Sequence, residues 1–124
     1  MSPEEMKRRT RSFAADAIRF CRTLPISSEG RVIAGQLIRS SSSVAANYRG
    51  ACRARSRREF VAKIGVVLEE ADESVLWLEL ITDTSLARSE MVGPLLQEAK
   101  ELVAIVAATK LTLQRNSATR KSSI

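Results

Sequence analysis

The most constraining stretch of this chain is 47–73, where a dense run of arginines passes directly into a dense run of acids. Between the two, Ser56 and Glu59 form a Ser-x-x-Glu pattern, followed at once by an apolar run from Phe60. That is the signature of a helix N-terminal capping box. Hydroxyl and carboxylate oxygens there accept from backbone N–H groups that a first helical turn leaves without partners. The pattern predicts a basic corner between two helices, with the departing helix turning acidic.

Apolar spacing extends this corner to the whole chain. The first segment spans about 3–24, with Ser2 as cap, Pro3 in the first turn and Pro25 as terminator. The second spans about 29–52, with Ile33, Leu37, Val44 and Tyr48 as its stripe. Small residues at Gly35, Ser41, Ala45 and Ala46 would let a neighbouring helix approach closely. The third spans 57–83 and the fourth about 89–116, with Pro94 marking either a kink or the true first turn. Residues 117–124 read as a frayed basic tail. Short connections between long helices make antiparallel neighbours, so one all-α domain over 1–116, an up-down-up-down four-helix bundle, is expected. No apolar run reaches the ~20 residues of a membrane span, and a cytoplasmic protein is expected.

The third segment carries more apolar surface than one bundle needs. Phe60, Ile64, Val67, Leu68, Ala71, Val75 and Leu78 make a core stripe. Val66, Trp77, Leu80 and Ile81 form a second set on another side, which predicts a self-association interface. Asn47, Ser56, Glu59 and Phe60 shape the corner. Arg39 is placed to pair with the acids of the third helix and, if buried, to fix helix register.

Charge is unevenly distributed. The chain has 20 basic and 14 acidic residues, a net +6. Residues 1–63 hold fourteen cations against five acids, whereas residues 64–116 hold four against nine. In an up-and-down bundle the start of the first helix, the second corner and the end of the fourth share one pole. Arg8, Arg11, Arg49, Arg53, Arg55, Arg57, Arg58 and Lys63 are the candidate phosphate contacts there, with Lys7, Arg9, Lys110, Arg115, Arg120 and Lys121 nearby. Fifteen arginines to five lysines suit bidentate phosphate recognition. Arg57 and Arg58 sit in a helical first turn, where the dipole disfavours cations, so helix stability alone does not explain them. A sequence-insensitive nucleic-acid contact is the leading reading. The alternative is a scaffold docking an acidic protein partner.

Histidine is absent, which removes the commonest general base and transition-metal ligand. The serine run Ser40–Ser43 therefore reads as packing, not nucleophilic catalysis. Glu69, Glu70, Asp72, Glu73 and Glu79 lack the Glu-x-x-His partners of dimetal bundles. Cys21 and Cys52 read as buried, reduced thiols. No catalytic residue, metal or cofactor is expected.

The run QLIRSSSSVAANYRGACRARSRREF, followed by EEADESVLWLEL, resembles the bacterial "four helix bundle protein" family. That family includes proteins encoded in intervening sequences of 23S ribosomal RNA genes and accessory variability proteins of diversity-generating retroelements. The densest match lies between Gln36 and Leu80, notably Asn47, Ser56 and Phe60, then Glu69, Glu70, Asp72, Glu73 and Trp77-Leu78-Glu79. A commoner branch reads roughly Pro-Ser-Asn-Ile-Ala-Glu-Gly where this chain has Ala45-Ala46-Asn47-Tyr48-Arg49-Gly50-Ala51. The resemblance implies a homopentamer of bundles. From the retroelement members it implies binding of nucleic acid, RNA or DNA, and of a reverse transcriptase. Only the arginines of the second corner carry over as candidate contacts.

Overall fold

The computed structural model describes the backbone of residues 1–122 and the side chains of residues 1–116. Four helices follow in order: α1 (Pro3–Cys21), α2 (Ser28–Ala51), α3 (Arg57–Asp83) and α4 (Ser89–Ser122), with no strand among the described residues. Three starts are set by serine caps. Ser2 accepts from the Glu5 N–H, Ser27 from Gly30 and Ser56 from Glu59. At the third start the reciprocal bond shifts by one residue: the Glu59 carboxylate accepts from the Arg55 N–H at 3.2 Å, whereas a capping box would use the Ser56 N–H.

Two helix ends differ from the sequence expectation. α1 stops at Cys21 because its last turn tightens: Thr23 N–H bonds Phe20 and Leu24 N–H bonds Cys21. This swings Leu24 inward, buried, before Pro25. α4 starts at Ser89 with Pro94 inside it and continues through Ser122, past the expected boundary at 116. Residues 123–124, and the side chains of Arg120 and Lys121, lie outside the described residues.

Helix order around the core follows from the cross-contacts. Ser40 of α2 meets Ser74 of α3 at 2.8 Å, and Lys63 lies over Gly50, so α2 and α3 run antiparallel. Arg57 of α3 reaches the Leu113 carbonyl of α4 at 3.2 Å. Arg9 of α1 reaches Glu98 of α4. Phe13, Leu37, Ile64, Leu78, Ile81 and Leu102 are fully buried at the centre. Each such side chain contributes roughly 1.5–3 kcal/mol of transfer free energy.

The serine run stays helical. Ser40 and Ser41 are buried, and their hydroxyls donate back to the Leu37 and Ile38 carbonyls. Asn47 likewise donates to the Ser43 carbonyl and hydroxyl.

The second apolar set on α3 needs correction. Ile81 is fully buried with Leu78, three residues earlier, and belongs to the core. Val66 is exposed, while Trp77 and Leu80 are half-buried. The Trp77 indole nitrogen is enclosed without a hydrogen-bond partner among the described residues. Leu76, absent from the expected set, is 48% exposed. The cysteine expectation also fails for Cys52, which is exposed at the C-cap of α2, while Cys21 is half-buried.

Candidate functional site

The helix polarity above brings the start of α1 beside the end of α2. Between them lies a groove of about 620 Å³. One wall carries Lys7, Arg8 and Arg11 of α1; the other carries Arg49 of α2 and Arg53 just past its C-cap. Spacings of three on one helix and four on the other keep each row on a single side. Ala14, Ser42, Ala45, Ala46 and Gly50 complete the lining. Ala45 and Ala46 were expected to admit a neighbouring helix. Instead they form part of the groove floor, and Ala46 is exposed. Gly35 is likewise no packing contact: a Cβ there would meet nothing within 4 Å.

Arg8, Arg11, Arg49 and Arg53 are exposed, and no described carboxylate lies within ion-pair distance of them. Lys7 is paired with Glu4 at 2.8 Å, and Glu4 also lines the groove. The hydrogen bond and charge of Lys7, with the nearby charge of Arg8, hold the Glu4 carboxyl below its ordinary range. The groove therefore presents four guanidinium groups with no carboxylate partner among the described residues, and one lysine paired with Glu4. Guanidinium groups bind phosphate oxygens through paired N–H donors.

The other four candidate contacts are placed differently. Lys63 crosses beside the groove, its Cδ 3.5 Å from where a Cβ on Gly50 would sit. Arg57 is half-buried and donates to the Leu113 carbonyl, so it ties the second corner to α4. This gives it a structural role despite its position in the first turn of α3. Arg55 and Arg58 are exposed on that corner but do not line the groove.

Arg9 is committed elsewhere. Its Nε and Nη2 each donate to a Glu98 oxygen at 2.8 Å, with Glu101 3.6 Å away. Its charged state is favoured first by that hydrogen bond, against partial burial. Arg39 bridges Glu70 at 3.1 Å and Glu73 closely, but its side chain is 47% exposed, so the expected buried register pair is a surface pair. Burial raises the Glu70 carboxyl although Arg39 opposes it.

Tyr48 and Phe60 turn away from the groove and pack against the core. Burial, with Cys52 beside it, pushes the Tyr48 hydroxyl up to about 12. No aromatic ring lines the groove, so it offers no platform for stacking bases. Sequence reasoning missed the groove as a shape. Arg8 and Arg11 on one helix and Arg49 and Arg53 at the end of the next were the signal for it.

Fold and site together define a small, basic, all-α four-helix protein with a cationic groove on one seam. The chain belongs to the 23S rRNA-intervening sequence protein family, whose model matches residues 4–108. It is also similar to a solved protein of unknown function from the S23 ribosomal protein family of Bacteroides thetaiotaomicron VPI-5482. The two are 28% identical with a TM-score of 0.79, over 85% of this chain and 97% of that one. No curated protein matches the chain.

Proposed function

We propose that this protein is a non-enzymatic, RNA-associated binding module that holds nucleic-acid phosphates in the α1–α2 groove. The observation that carries this reading is the set of four exposed arginines with no described carboxylate partner on facing walls. Like charges lining one groove repel one another, an arrangement that an anionic ligand relieves. Family membership supports an RNA-related role. The cationic, non-aromatic lining supports contacts to phosphates and not to bases.

The same reading includes assembly with copies of itself, as the pentamer implied by the family resemblance. Val66 and Leu76 exposed on α3, beside half-buried Trp77 and Leu80, support that assembly. A reverse transcriptase is the protein partner implied by the resemblance to accessory variability proteins. A cytoplasmic location belongs to the same reading.

Binding of fluorescein-labelled RNA and DNA, followed by anisotropy, tests the phosphate contact. The Arg11→Glu/Arg49→Glu variant should lose about 100-fold or more in affinity while keeping its helical circular dichroism. Unchanged affinity would overturn the reading and favour an acidic protein partner. Sedimentation at micromolar concentration tests self-association, and a monomer would refute it.

A further inference from the structure

From the shape of the groove we infer that it selects a single strand of nucleic acid over a duplex, with the sugar–phosphate backbone inward and the bases outward. This rests on the phosphate-binding reading above and goes beyond it.

The lining runs from Glu4 to Ala14 on α1 and from Ser42 to Arg53 along α2 and its C-cap. At ~1.5 Å of rise per residue, both walls are about 15 Å long. Adjacent packed helices have axes only about 8–10 Å apart, so the groove is narrow and nearly straight. A stacked strand advances about 3.4 Å per nucleotide, so the groove accommodates about four. Arg8 and Arg11 then meet the phosphates from one side, and Arg49 and Arg53 from the other. A duplex backbone curves away from a straight trough and touches only its rim, leaving several of these cations without a phosphate.

The lining fixes the orientation of the strand. Small residues at Ala45 and Ala46 leave room for the backbone. With no aromatic side chain among the lining residues, nothing holds a base inside. Ser42 supplies the only side-chain hydroxyl. Glu4 marks one end of the path: its carboxylate holds Lys7 at 2.8 Å and repels a phosphate that approaches it. A strand occupying the full length of the groove must therefore compete with Glu4.

The test uses the full chain and a labelled 20-nucleotide RNA of mixed sequence, free or annealed to its complement, with anisotropy as the readout. The free strand should bind about tenfold or more tightly than the duplex at the same salt. Arg11→Ala/Arg49→Ala should erase most of that preference, and Arg22→Ala, outside the groove lining, should preserve it. Glu4→Gln should tighten the free strand about threefold and leave the duplex unchanged. Equal or tighter duplex binding would overturn the strand selectivity while leaving the phosphate reading intact. An equal gain for both forms with Glu4→Gln would also overturn it. Binding of neither form would overturn both inferences.

Discussion

Arg9 and Arg11 stand two positions apart on α1, and the structure uses them in opposite ways. Arg9 closes the α1–α4 seam, holding both oxygens of Glu98 at 2.8 Å. Arg11 faces the α1–α2 groove, where its charged neighbours across the gap are Arg49 and Arg53. One seam has its charges matched within the subunit; the other gathers four arginines and Lys7 against the single carboxylate of Glu4. A matched pair is architecture. A same-sign cluster costs stability through self-repulsion, which points to a ligand as its reason.

Variants should separate the two seams. The largest effect belongs to the groove. Arg11→Ala/Arg49→Ala should weaken RNA binding about 50-fold, measured by anisotropy at ~100 mM salt, with stability within about 0.5 kcal/mol of wild type. A large stability loss would mean that these arginines are structural after all. Next comes Arg9→Ala, expected to lower stability by about 1–2 kcal/mol in urea denaturation while changing RNA affinity less than about twofold. If binding fell as far as in the groove variant, the contrast between the seams would disappear.

Two smaller effects concern the corner and the surface. Ser56→Ala removes the cap of α3 and should cost about 1 kcal/mol, with RNA affinity nearly unchanged because Ser56 does not line the groove. Arg39→Ala should cost only ~0.5 kcal/mol, since its ion pair is half-exposed. A pH dependence is absent at neutral pH and develops only in alkali. Burial pushes the Cys21 thiol up to about 11, so the folded state keeps a proton that the unfolded chain loses near pH ~8.5. Its contribution is complete below that pH and declines as pH rises toward about 11. Cys21→Ala should flatten this part of the decline in denaturation curves taken between about pH 7.5 and 10. A decline parallel to wild type would assign it to other groups.

Much of the architecture was legible in the sequence because caps and periodicity are local. Ser2 and Ser56 cap as their spacing predicts, and α3 occupies 57–83 without adjustment. The end of α1 was harder to read: residues 22–24 turn through tighter bonds that satisfy the backbone without continuing the helix. Ile81 was misplaced because a stripe seen on one helix has no inside until its neighbours are set. Its three-residue step from Leu78 would have placed it in the core.

The site was legible in charge but not in shape. Alternating helix directions sufficed to group Arg8, Arg11, Arg49 and Arg53. Which arginines face one another depends on helix rotation, and rotation decides that Arg9 meets Glu98 while Arg11 does not. The same rotation turns Ala45 and Ala46 from expected helix contacts into a groove floor. The Arg57 contact with Leu113 joins residues 56 positions apart, and no local pattern announces it.

The most direct test of the central claim is the salt dependence of RNA binding in wild type and in the Arg11→Ala/Arg49→Ala variant. Each phosphate held on a single strand contributes about −0.7 to the slope of log K against log salt, so four groove arginines predict a slope near −3. Removing two should bring it to roughly −1.5. A shallow wild-type slope, or an unchanged slope in the variant, would contradict a groove built for phosphates.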